Sequence, residues 1–291
     1  MMSRFSHLLA ALALMMLLPS AQAVLSCTSP VSTGISTAYN PGQASANITQ
    51  GMVTFNCTRT VAGDPTSVLL ANNLGANPSG SIMRAALGGS FIQYDLYKTS
   101  GCVGQWSNTV PTTITAPLLN ITGSQPVSAS YWGCITLAGQ AVPAGTYIDT
   151  VVIGLFNPTT LAAISPQPSF TVSIVNPATC AAPTLSNIVF STPYIAFGSA
   201  MTSPAVIVTI NCTPKLPYTM AISPNSVVLN GLLYSFNTNW VQPPGAGSQL
   251  VGTGPGQLYT ISATIAAGQS GQCGASSCTA TSPPHTLTVT Y

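Results

Sequence analysis

The sequence predicts an all-β protein built as two β-sandwich domains in tandem, the second one strand short of the first. Three observations carry this. Runs of helix formers are missing and 24 prolines are scattered through the 291 residues, which leaves little room for a long helix. Short stretches alternating apolar and polar residues recur between Gly, Pro and Asn clusters, the pattern of half-buried strands. The pattern also repeats: Val53-Thr-Phe-Asn-Cys-Thr58 returns as Val208-Thr-Ile-Asn-Cys-Thr213, and Ala138-Gly-Gln140 as Ala267-Gly-Gln269. Tyr94 before Trp106 is echoed by Tyr234 before Trp240.

Taken in order, residues 1–23 read as a secretory signal. Arg4 supplies the positive start, Leu8 to Leu18 the apolar core and Ala21-Gln22-Ala23 a small-x-small cleavage site. The apolar run falls short of the ~20 residues that span a bilayer. Alternation then places first-half strands at 48–57, 67–70, 91–97, 147–155 and 170–175. Second-half strands fall at 205–212, 218–222, 232–236, 258–265 and 286–291. Strands this short and this closely spaced favour a sandwich in each half. The domains are accordingly expected at 24–175 and 180–291, joined by the linker 176–179, Asn-Pro-Ala-Thr.

The two halves differ at their ends. His285-Thr-Leu-Thr-Val-Thr-Tyr291 alternates to the last residue, whereas the matching Tyr147-Ile-Asp-Thr-Val-Val-Ile153 is followed by a further strand, Phe170-Thr-Val-Ser-Ile-Val175. The second domain is therefore expected to leave an apolar groove and an unpaired sheet edge that another strand must fill. Leu287, Val289 and Tyr291 would line that groove, with Ile207, Val208 and Ile210 as partners.

All eight cysteines follow the signal, four per half, which points to disulfides in an oxidising compartment. The repeat pairs Cys27 with Cys57, 30 positions apart, and Cys180 with Cys212, 32 apart. Cys102–Cys134 and Cys273–Cys278 follow by elimination, although four cysteines allow three connectivities in each domain. Loops of this length should each add about 3–4 kcal/mol in the chain-entropy model. A zinc site is not expected, because Cys-x4-Cys lacks a second pair at zinc spacing.

After cleavage, Arg59, Arg84, Lys98 and Lys215 stand against Asp64, Asp95 and Asp149, so 4 − 3 leaves a net charge of +1. So sparse a charge offers no footprint for nucleic acid and no polybasic membrane patch. Enzymatic chemistry finds no purchase either. His285 is the one histidine left, no Gly-x-Ser-x-Gly elbow or phosphate loop occurs, and three Asp without Glu supply no carboxylate pair of the usual kind. No catalytic residue, metal or cofactor is expected, and Asp149 reads as a hydrogen-bonded side chain at a strand start.

The order Ile82-Met-Arg84, Tyr94-Asp-Leu-Tyr97, Trp106 and Ala144-Gly-Thr-Tyr-Ile-Asp-Thr-Val151 resembles the spore coat protein U domain of archaic (Csu-type) chaperone–usher pili. Two copies would cover nearly all of the processed chain. The second departs from the pattern, with His285 where the first has Asp149. The resemblance implies immunoglobulin-like domains, the second an incomplete, strand-accepting pilin. It implies as partners a periplasmic pilus chaperone, an outer-membrane usher and an adjacent pilin subunit that supplies the donor strand.

Only Val24, Leu25 and Ser26 separate the expected cleavage site from Cys27, too few for a donor strand of its own. Such a subunit would sit at the pilus tip on the cell surface, with the first domain binding an abiotic or host surface and promoting biofilm. Two loops offer apolar residues for that contact: Pro117-Leu-Leu-Asn-Ile121 (Leu118, Leu119, Ile121) and Leu161-Ala-Ala-Ile164 (Leu161, Ile164). Asn72-Asn-Leu-Gly75 is a third, weaker candidate. The alternative is a secreted coat or matrix protein without a dedicated binding role.

Overall fold

The computed structural model describes residues 25–40, 46–107, 113–137, 139–240, 250–254, 256–274 and 276–291; the expected signal segment and Ala138 lie outside these. The described residues form strands, turns and loops without a helix, as the composition predicts. The first half contains β1 (Ser26–Cys27), β2 (Val31–Ser32), β3 (Ile35–Ala38), β4 (Asn47–Arg59), β5 (Ser67–Asn72), β6 (Met83–Leu87), β7 (Ser90–Tyr97), β8 (Ile114–Pro117), β9 (Gly123–Ile135), β10 (Gly145–Phe156) and β11 (Ser169–Asn176). The second half contains β12 (Met201–Thr202), β13 (Val206–Ile210), β14 (Pro217–Ser223), β15 (Ser226–Leu229), β16 (Leu232–Thr238), β17 (Leu250–Val251), β18 (Gln257–Ile265) and β19 (Thr286–Thr290).

Alternation decides which side of each strand is buried. In β4, Val53, Phe55, Cys57 and Arg59 point inward at every second position. Its partner along the whole length is β9, from Asn47↔Ile135 to Arg59↔Gly123. The sequence reading missed β9. Its outward positions are Ser124, Pro126, Ser128 and Ser130, turn formers by composition, while Gln125, Val127, Ala129 and Tyr131 face the core. Pro126 is tolerated because β9 meets its other neighbour, β7, only at Trp132–Cys134.

β10 is flanked on both sides. It pairs with β5 over Ile153–Phe156 and with β11 at eight positions, and β11 pairs in parallel with β3. The faces enclose one core, in which Trp106 packs on Tyr131 at 5.0 Å and Tyr131 on Phe170 of β11 at 5.6 Å. The Trp106 indole N–H donates to Leu70 O at 2.9 Å, so burial leaves no orphaned donor.

The second half is built more thinly. β13, β12 and β16 flank β18, β15 extends that sheet, and β17-β14-β19 form a separate small one. Its buried residues fall into two small clusters rather than one. β19 pairs with β14, as β10 pairs with β5, but among the described residues no strand pairs with its other edge. The four disulfides join Cys27–Cys57, Cys102–Cys134, Cys180–Cys212 and Cys273–Cys278, the pairing the repeat and elimination indicate.

Candidate functional site

The ladders place the loops of the first half. Gly145 at the start of β10 pairs with Asn176, and Phe156 at its end pairs with Leu69. Eleven residue steps at about 3.4 Å put these ends ~37 Å apart. Loops 60–66, 118–122 and 157–165 therefore cluster at the end remote from the 176–179 connection.

Arg59 ties that end together, and it was not among the residues singled out from the sequence. The inward alternation of β4 buries its guanidinium. Nη1 donates to Leu119 O (3.1 Å) and Asn120 Oδ1 (3.0 Å), and Nη2 to Ala62 O (3.1 Å) and Asp64 O (2.7 Å). One cation thus satisfies acceptors of two loops at once. Asp64 Oδ2 accepts from the amides of Val61 (3.0 Å) and Thr60 (2.5 Å). The Val61 hydrogen bond above all, with the Thr60 contacts and the Arg59 charge, holds the Asp64 carboxyl below the usual carboxylate range. Its contribution to stability is present above the unfolded value of about 3.9 and is lost as pH falls through the folded one.

On this braced end Leu119 is 65% exposed and Leu161 55%, with Ile121 also exposed. Leu161 holds a left-handed φ of +58°, inside a turn in which the Asn157 side chain accepts from the Thr159 and Thr160 amides. Two expectations need correction. Leu118 is 7% exposed and belongs to the core, because alternation carries inward from Ala116 past Pro117 while Leu118 N–H bonds Thr66 O. Ile164 is only partly exposed and packs against the same core.

The 72–75 segment forms no tip either. Asn73 Oδ1 accepts from Val152 N–H at 2.9 Å, and Gly75, at φ +77°, lies so close to the Asp149 carboxylate that no Cβ would fit. Asp149 sits within β10 rather than at a strand start, accepting from the Tyr94 hydroxyl (2.7 Å) and Ala76 N–H (2.8 Å). Burial above all, and then the Asp149 charge, pushes the Tyr94 phenol far up, so it stays a donor.

Asp95 is a half-buried carboxylate that accepts from Met83 N–H (3.3 Å) and Gln105 Nε2 (3.2 Å), and partial burial, above all, raises its pKa. A raised folded value favours folding most at acid pH, and that contribution is lost as pH rises. Asp95→Asn keeps the accepting oxygen and removes the charge. It should melt higher than the wild type at pH 7, with the gap closing towards about pH 3 in thermal scans, below the ordinary Asp value.

In the second half, Val208 and Ile210 of β13 are fully buried, and Leu287 and Val289 of β19 pack, half-exposed, against the same cluster. The register sets Leu287 opposite Ile222 and Val289 opposite Met220, so the strand beside β19 is β14, while β13 pairs with β18. Ile207 points out of the opposite face of β13, and Tyr291 is exposed past the end of β19. An open strand edge above half-covered Leu287 and Val289 is an arrangement that can receive an extended segment by main-chain hydrogen bonding. Among the described residues, no group of three His, Cys, Asp or Glu is placed to hold a metal ion.

Residues 13–154 match the family model of the Spore Coat Protein U domain, a range that ends within β10. No curated protein sequence matches the chain. Similar solved structures include the CsuC–CsuE chaperone–tip adhesion subunit pre-assembly complex from the archaic chaperone–usher Csu pili of Acinetobacter baumannii. It shows 14% identity over 91% of this chain and 99% of that one, at a TM-score of 0.40. The CupB6 tip adhesin of Pseudomonas aeruginosa shows 12% identity over 87% and 90%, at 0.35. The CooA pilin subunit of enterotoxigenic Escherichia coli shows 13% over 51% and 97%, at 0.29.

Proposed function

We propose that this chain, which carries a Spore Coat Protein U domain over residues 13–154, is the tip adhesin of a chaperone–usher pilus. The carrying observation is the contrast between β10, paired on both sides, and β19, paired on one. On this reading residues 24–175 are a self-completed binding domain, 176–179 a linker and 180–291 a pilin domain. Residues 1–23 direct secretion through the periplasm. A chaperone first fills the open edge of β19, and an adjacent pilin subunit replaces it at the usher. The family resemblance, to a domain of archaic pilus subunits, supports the same assembly.

Attachment is assigned to Leu119, Ile121 and Leu161 on the end braced by Arg59, remote from the pilin domain. With no charged side chain among these three, adhesion removes apolar area from water at about 25 cal/mol per Å2. It should barely change with ionic strength. The three residues changed together to Ser should lower retention on hydrophobic plastic and biofilm mass several-fold while pili assemble normally. Leu118→Ser should instead lower stability by about 2–4 kcal/mol, the cost of a core truncation. Labelling of the chain away from pilus ends, or free in the medium with no pilus, would sink the reading and favour a coat or matrix role.

A further inference from the structure

The two halves meet head to tail, and each carries the same hydrogen-bonded lock at its lower end. In the first half, Gln140 N–H donates to the Tyr39 hydroxyl (2.7 Å). Its side chain donates to Gln93 O (3.1 Å) and accepts from Gln93 N–H (2.7 Å). In the second half, Gln269 N–H donates to the Tyr194 hydroxyl (2.9 Å). Its side chain donates to Leu233 O (2.9 Å) and accepts from Leu233 N–H (2.6 Å).

The first lock adjoins the junction, since Tyr39 N–H bonds Val175 O at 2.8 Å. The Cys180–Cys212 end of the second half adjoins it too, where Thr213 Oγ1 donates to Pro177 O at 3.0 Å. A Cβ on Gly254 would stand 3.9 Å from Ala141 and 3.1 Å from Pro214, so the lock end of one half lies beside the cysteine-bridged end of the other. The second lock points away. Along β18, Gln257 pairs with Ile210 near that bridge while Ile265 pairs with Met201, about 27 Å further on.

This free end carries the two most exposed large apolar side chains among the described residues, Ile195 at 77% and Phe197 at 74%. Where the first repeat reads Tyr39-Asn-Pro-Gly42, the second reads Tyr194-Ile-Ala-Phe-Gly198. The turn is held rigidly. Gly198 N–H bonds Ile195 O (2.9 Å), Phe197 N–H bonds Gln269 O (2.8 Å), and Phe197 holds a φ of +59°, an unfavourable region for an aromatic residue. Nothing in the fold requires an apolar side chain at these outward positions.

We infer that Ile195 and Phe197 form a prong that docks on the body of the next pilus subunit. The surface it meets is the cysteine-bridged end of an immunoglobulin-like unit, of the kind that the first lock already adjoins within this chain. A head-to-tail contact of this type continues along a filament rather than closing. It adds a second point of attachment to the strand received at β19, and so rests on the filament reading above.

The test uses intact pili carrying the full chain with a photoreactive benzophenone side chain in place of Phe197. Illumination should link this chain to the subunit beneath it, and the same probe in place of Leu161 should not. Ile195→Ser with Phe197→Ser should leave incorporation intact but release the tip subunit from sheared pili about tenfold faster in mild detergent. No link at position 197, or a link to the chaperone alone, together with unchanged release, would overturn the prong while leaving the strand-accepting role standing. A native chain that never enters pili would overturn both.

Discussion

A chain lacking residues 170–175 is expected to accumulate as protease-sensitive aggregate instead of soluble protein. Phe170, Val172 and Ile174 are buried in the first-half core, and fully burying each such side chain contributes about 1.5–3 kcal/mol. Their sum, about 5–9 kcal/mol, is of the order of the total stability of a domain. The deletion also strips β10 of six of its eight paired positions on that side and β3 of its parallel partner. Residues 24–175 expressed alone should, by contrast, be a soluble monomer. Periplasmic fractionation and limited proteolysis measure both. A folded, monomeric deletion variant would mean that β11 is an accessory strand and that self-completion is the wrong account of the first half.

The second large effect concerns residues 177–291 alone, which should aggregate or be degraded. Leu287 and Val289 remain half-covered and the outer edge of β19 is open. Appending after Tyr291 a flexible loop and a strand patterned on Phe170-Thr-Val-Ser-Ile-Val175 should rescue it, because a tethered strand acts at an effective concentration of about mM. If the added strand contributes about 3 kcal/mol or more, the melting temperature should rise by roughly 15 °C at 4–8 °C per kcal/mol. Co-expression with the cognate chaperone should also give soluble protein. A protease-resistant monomer without any added strand would remove the basis for the strand-accepting role.

Much of the fold was legible because alternation and duplication are local signals. The strands around Phe55, Ile153 and Val208 announce themselves by bulky inward residues, and the repeated Asn-Cys-Thr identifies which cysteines are equivalent. β9 was not legible, since Gln125 and Ala129 interrupt the inward Val127 and Tyr131 while Pro126 and three serines on the outward side read as a turn. Only its pairing with β4 reveals it. The loop tips were read by composition, which cannot tell Leu118 from Leu119. The phase of β8 can: Ala116 points inward, so Leu118 follows it in and Leu119 turns out. Arg59 was overlooked because the strand was expected to end at Cys57, whereas β4 continues its alternation to Arg59, and hydrogen bonds to the Leu119, Ala62 and Asp64 carbonyls make that side chain the brace of the distal loops.

The short connection between the halves has a mechanical consequence. Asn176 is anchored in the first half by its amide, which donates to Val142 O and Pro143 O at 2.9 Å, and Thr179 is anchored in the second by Thr213. Only Pro177 and Ala178 lie between. Tension on an attached cell would enter the first half through the end of β11 and run along that strand's axis. β11 is antiparallel to β10 over eight positions and parallel to β3 over four, so the pull loads both ladders in shear and their hydrogen bonds must fail together rather than one at a time. The strand that completes the first half is thus also the one best placed to keep it folded under drag.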